Sequence, residues 1–225
     1  MLRLLPRWLC FLAVCSAPGV AGTICVTDTL ANYQALGLGG CQIGGLTVKD
    51  FSYDFVSGTV TIPASSITVT PSTVGDTLGL TFSSAQFNLS GSNSAIYLLG
   101  YTWDPGDIRS LEDILNNDPT ASPGLARITT LDCEDAAFTP TCLTSTDTVV
   151  VLDDGIHPIL TDSVSFLSPV GTLGIQNTIE LDVNTSGIAE FTSIENEITI
   201  PEPSTVAPCL LVALLMFRRL RFERF

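Results

Sequence analysis

Short runs in which apolar and polar residues alternate, each ended by a turn signal, fill the chain from Thr47 to Ile200. Thr47–Val56 (TVKDFSYDFV) alternates, and so do Thr59–Ile62 and Ile67–Thr70, which Pro63-Ala64-Ser65-Ser66 separates. Further runs are Leu78–Leu89, Ala95–Trp103, Gly124–Leu131, Asp147–Leu152, Asp162–Leu167, Asn177–Val183 and Ile188–Ile200. A period of two sends successive side chains to opposite faces, so each run suits a strand with one buried face. Ser57-Gly58, Gly75-Asp76, Gly91-Ser92 and Asp153-Asp154-Gly155 mark the turns between them. Several short strands at this spacing predict a mainly β fold, a single β-sandwich domain. No repeat of 20–50 residues is evident.

One segment departs from the pattern. Asp107–Asn116 (DIRSLEDILN) places Ile108, Leu111, Ile114 and Leu115 on one helical face. Asp104-Pro105 before it has the form of a helix start, a capping carboxylate followed by proline at the first helical position. The expectation is a short surface helix or loop packed on the sandwich.

Charge narrows the function. The chain has 225 residues and a formal net charge of -14. Between Thr23 and Ile200 lie only three basic residues, Lys49, Arg109 and Arg127, against 21 acidic ones, a net of −18. So acidic a body repels phosphate backbones, which argues against nucleic acid as a partner. It favours solubility and attracts cations. Disorder does not follow, because 45% of the chain is hydrophobic and a body of this size buries roughly 70% of its unfolded surface.

The two ends are built differently. Arg3 and Arg7, the apolar stretch Trp8–Val14 and the small residues Gly19-Val20-Ala21 follow the order of a secretory signal. Residues 1–22 are assigned to it, with cleavage after or near Ala21. A lipoprotein signal at Cys15 is set aside because Val14 is too bulky for the position before such a cysteine. At the other end Pro201-Glu202-Pro203 precedes an apolar stretch, Val206–Phe217, and then Arg218, Arg219, Arg221 and Arg224. Two prolines keep the chain extended and accessible there. The arginine cluster stays cytoplasmic by the positive-inside rule. Twelve apolar residues make a helix of about 18 Å, short against roughly 30 Å of hydrocarbon, and Pro208 interrupts them.

With its Pro-Glu-Pro motif, apolar run and terminal arginines, residues 201–225 resemble the sorting tail of PEP-CTERM proteins, the substrates of exosortases. The body resembles a recurring secreted type that carries this tail, through YQALGLGGCQIGGLTVKDFSYDF, through the loop from Cys133 to Cys142, and through TDSVSFLSPV before IPEPST. The resemblance implies an exosortase-type processing enzyme as partner, transient anchoring in the inner membrane through the tail, and a final place at the cell surface or in the extracellular matrix. It assigns no activity to the ectodomain, residues 23–200.

Seven cysteines divide by position. Cys10 and Cys15 leave with the signal and Cys209 lies in the tail. Cys25, Cys41, Cys133 and Cys142 remain, and four cysteines in an exported domain argue for two disulfides, with three pairings open. The local pairs Cys25–Cys41 and Cys133–Cys142 are expected. Zinc is disfavoured, since the spacings are long and His157 is the only histidine.

No residue pattern carries catalysis. His157 follows an acidic turn, but no G-x-S-x-G elbow presents a nucleophile to it. The pairs Glu112/Asp113, Glu134/Asp135 and Asp153/Asp154 lie side by side on the chain, so they do not define a two-carboxylate cleft. Calcium, if bound, would sit at Asp153/Asp154 or Asp132/Glu134/Asp135, although the spaced ladder of an EF-hand is missing. Tyr101 and Trp103 would stack on sugar rings if exposed and belong to the core if buried. The sequence therefore points to a non-enzymatic exported structural or interaction protein, without cofactor or metal. The alternatives are a carbohydrate-binding module for extracellular polysaccharide and, behind it, a polysaccharide hydrolase.

Overall fold

The computed structural model describes residues 22–116, 124–138, 145–183 and 187–201. Among them, in chain order, run β1 (Asp28–Thr29), α1 (Leu30–Ala35), β2 (Cys41–Ile43), β3 (Leu46–Gly58), β4 (Thr68–Val74), β5 (Thr77–Ser83), β6 (Asn88–Ser90) and β7 (Ser94–Asp104). Then follow β8 (Ile108–Asn116), β9 (Leu125–Glu134), β10 (Ser145–Asp153), β11 (Thr161–Val170), β12 (Leu173–Asp182), β13 (Ile188–Glu190) and β14 (Ser193–Thr199). One sheet has the order β1-β4-β5-β14-β8-β11 and the other β10-β9-β12-β7-β3-β2, while β13 and β6 form a small ribbon. All named pairings are antiparallel. The expected mainly β sandwich is what the chain forms.

Alternation builds the two inner faces. Leu78, Leu80 and Phe82 on β5, and Ile194 and Ile198 on β14, are buried in the first sheet. Tyr97, Leu99, Tyr101 and Trp103 on β7, with Leu173, Ile175, Ile179 and Leu181 on β12, are buried in the second. They belong to one continuous core, the arrangement that lets two half-apolar sheets exclude water together. The Gly75-Asp76 turn joins β4 to β5 as expected, with Gly75 at φ 63, a conformation glycine adopts without a Cβ clash.

The expected helix over Asp107–Asn116 is corrected. Ile108–Asn116 is β8, an interior strand between β11 and β14. Leu111, Asp113 and Leu115 are buried at a spacing of two, while Ile114 is only partly buried. The buried acid conceals the strand period, because a carboxylate counts as polar in any reading of hydrophobic pattern. Asp104 does not cap a helix; it accepts from Lys49 Nζ at 2.6 Å and from Thr172 Oγ1 at 2.8 Å. The runs Leu78–Leu89 and Ile188–Ile200 are each two strands, and Thr59–Ile62 is irregular.

Near the N-terminus the real helix is α1, capped by Thr29, whose Oγ1 accepts from Asn32 N–H at 3.3 Å. Leu30 and Tyr33 are its buried residues. The Cys25–Cys41 disulfide closes the segment that contains it, across a separation of 16 residues. By loop entropy such a link contributes on the order of 3 kcal/mol. Cys133 is also disulfide-bonded; its expected partner Cys142 lies outside the described residues, as do Glu202, Pro203, Arg218, Arg219 and Arg221.

Candidate functional site

A belt of polar side chains crosses the middle of the sandwich where apolar packing would be expected. Asp113 and Asn196 are register partners on β8 and β14. Facing them from the other sheet, Asn177 and Thr130 are register partners on β12 and β9. Tyr101 on β7 completes the group, and none of the five is more than 1% exposed.

Their hydrogen bonds close on one another. Asn196 Oδ1 accepts from Tyr101 Oη at 2.8 Å and from Asn177 Nδ2 at 2.9 Å. Asn196 Nδ2 donates to Asp113 Oδ1 at 2.6 Å and to Asn177 Oδ1 at 3.3 Å. Thr130 Oγ1 lies 2.6 Å from Asn177 Oδ1 and also contacts Asp113 Oδ2. A threonine hydroxyl carries one proton. It cannot donate to both oxygens, so both contacts are bonds only when Asp113 is the protonated partner and donates to Thr130. Electrostatics agree. Burial pushes the Asp113 carboxyl up to about 7; the contact with Thr130 and the bond from Asn196 oppose the shift, and the charges of Asp162 and Glu112 add to it. Burial likewise holds the Tyr101 phenol in its protonated form.

This belt is sealed from solvent and so holds the fold rather than meeting a ligand. Tyr101 and Trp103 are both 0% exposed. Tyr101 lies among Phe51, Phe82 and Trp103, at centroid distances of 5.5, 5.7 and 6.4 Å. The stacking platform that the sequence allowed at these two residues is therefore absent.

The other candidates are turn residues. His157 is exposed, and its N–H donates to Asp154 Oδ1 at 2.6 Å. The same oxygen accepts from Ile156 N–H at 2.8 Å, and Asp153 Oδ1 from Gly155 N–H at 2.7 Å. These carboxylates close the turn before β11. Asp135, at φ 53, accepts from Gly171 N–H at 2.9 Å.

Outside the core, the solvent face of the second sheet carries a cleft of about 290 Å³ between Asp50, Ser52, Asp54, Leu98 and Phe138. Two glycines make room for Phe138. A Cβ at Gly100 would stand 2.2 Å from its ring, and one at Gly174 would stand 2.6 Å from its backbone nitrogen. That nitrogen donates to Thr102 Oγ1 at 2.8 Å. Sequence reasoning missed this site; glycines inside two strands are the signal for such close approach. No helix among the described residues is long and apolar enough to cross a membrane.

No protein-family model matches the chain, and no curated protein matches it. Solved structures that are similar to the chain in part include these two. One is the enzymatically active domain of bacteriophage CBA120 tailspike protein 4, at 17% identity and a TM-score of 0.27, covering 64% of this chain and 19% of that one. The other is a family 11 carbohydrate-binding module from Clostridium thermocellum in complex with a beta-1,3-1,4-mixed-linked tetrasaccharide, at 9% identity and a TM-score of 0.23, covering 70% and 90%. Scores this low leave fold and function to be argued from the chain itself.

The neutral Asp113 makes a pH prediction. Its folded pKa lies above the unfolded value, so between about pH 4 and 7 the unfolded chain ionises first and stability falls as pH rises, by about 1.4 kcal/mol per unit for this group. Above the folded pKa the slope vanishes. Urea unfolding at pH 5 and pH 7.5 should show wild type losing about 2–3 kcal/mol more than Asp113→Asn, which mimics the protonated acid. Parallel losses would remove Asp113 as a buried neutral acid.

Proposed function

We propose that this chain is an exported protein whose β-sandwich serves as a non-enzymatic structural or interaction module of the cell surface or extracellular matrix, delivered through its Pro201-Glu202-Pro203 tail. The observation that carries this reading is the Cys25–Cys41 disulfide. Disulfides form and persist in oxidising compartments outside the cytosol, and this one begins four residues after the expected cleavage at Ala21. The bonded state of Cys133 supports the same compartment. In this reading the membrane and an exosortase-type enzyme are partners of the tail before processing, and the acidic sandwich is the part released.

The experiment compares intact mass and fractionation of native protein with a Pro201-Glu202-Pro203 to Ala-Ala-Ala variant. Wild type should lose its tail near residue 201 and reach the surface or matrix, while the variant keeps residues 201–225 and stays in the inner membrane. Retention of the tail by both would make it a simple anchor.

A second reading, binding of extracellular polysaccharide, is favoured by the cleft at Phe138. There an aromatic ring stands beside Ser52 and two carboxylates, the combination of apolar face and polar groups that fixes a sugar ring. A glycan array should then give hits that Phe138→Ala removes; an array without hits, or hits indifferent to this change, would reject the cleft as a sugar site.

A further inference from the structure

The inner face of the second sheet ends in three carboxylates that the polar belt does not use. Asp132 and Glu134 are two residues apart near the end of β9, so both leave the same face of the strand. Asp147 joins them from β10, within the stretch where the β9–β10 register shifts, between Ser145 and Thr148. One carboxylate oxygen from each residue lies within 4.8 Å of the other two.

Asp132 is the unusual member. It is 1% exposed. Its Oδ1 accepts from Asp147 N–H at 3.0 Å, but Oδ2 is buried with no hydrogen-bond partner. A buried carboxylate oxygen lacking a donor carries a large desolvation cost. Burial raises the Asp132 pKa, hydrogen bonds from backbone amides oppose this, and the charges of Asp147 and Glu134 raise it again.

We propose that Asp132, Glu134 and Asp147 bind a divalent hard cation, calcium, at the end of the sandwich. Calcium–oxygen distances of about 2.3–2.6 Å allow ligands on one ion to stand up to about 5 Å apart, and the three carboxylate oxygens fall inside that limit. A proton would neutralise one carboxylate; a divalent ion meets the orphaned oxygen and offsets two of the three charges. The donor set is oxygen only, which suits calcium or magnesium and not zinc; the neighbouring Cys133 sulfur is committed to a disulfide. Magnesium demands near-ideal octahedral geometry, whereas one buried, one half-buried and one exposed carboxylate suit the looser calcium shell, completed by water. Of the residues the sequence offered for calcium, Asp132 and Glu134 belong to this site. Asp135 does not, being tied to Gly171. Bound calcium would pin β10 to β9 where their pairing is irregular.

The test uses the full chain, stripped with EDTA and titrated with calcium chloride by calorimetry, with thermal unfolding in parallel. Saturable binding is expected with a dissociation constant of roughly 10⁻⁴–10⁻³ M, the range of extracellular calcium modules, together with a rise in Tm. Magnesium at the same concentration should raise Tm less. Asp132→Asn and Asp147→Asn should each weaken binding at least about tenfold. Asp147 is exposed, so its variant keeps the test sound if Asp132→Asn fails to fold. No saturable heat with wild type, or equal binding in wild type and Asp147→Asn, would overturn the proposal. Neither result bears on where the tail sends the protein.

Discussion

Five buried polar side chains hold this sandwich in one arrangement. A slip of one residue between strands would turn the apolar faces outward, but a slip of two preserves the alternation and would pass any hydrophobic test. The belt rejects it. Asp113 must stand across from Asn196 and Thr130 across from Asn177, with Tyr101 reaching over from the opposite sheet. Displace either sheet and several sealed polar groups lose their partners, each at about 1–3 kcal/mol. The belt therefore supplies a specificity that interchangeable leucines and valines do not, on condition that Asp113 stays neutral.

That use of the interior decides where function can lie. Tyr101, Trp103 and the belt are spent on joining the sheets. Partners are left to the surface, which among the described residues includes the solvent face around Phe138 and the acidic end at Asp132, Glu134 and Asp147. The Cys25–Cys41 link ties the N-terminal segment to the edge strand β2, so the folded body begins soon after the expected signal. In the function proposed above, the two ends carry the address and the acidic sandwich is what they deliver.

Much of the fold was legible because period-two alternation is a direct consequence of strand geometry. β7, β9 and β12 follow it, and all three aromatics of β7, Tyr97, Tyr101 and Trp103, point inward as their spacing demands. β8 was not legible, since its middle inward residue is Asp113 and a buried acid reads as a surface one until its partners are known. α1 was missed because six residues are too few for a helical period, although Thr29 three before Asn32 is a capping signal. The carboxylate site was half legible: Asp132 and Glu134 share a face by spacing alone. Asp147 reaches them through strand pairing, a contact between distant residues that no local pattern encodes.

The central claim is that a protonated Asp113 closes the belt. Carbon-13 NMR of the Asp113 side-chain carboxyl, followed across pH 4–8 in wild-type protein and assigned by its loss in Asp113→Asn, observes that proton directly. The account predicts the shift of a neutral acid at pH 5 and a titration near pH 7. The shift of an ionised carboxylate already at pH 5 would contradict it, leaving Thr130 with two acceptors for one proton while Tyr101 and Asn177 alone bond Asn196 across the sheets.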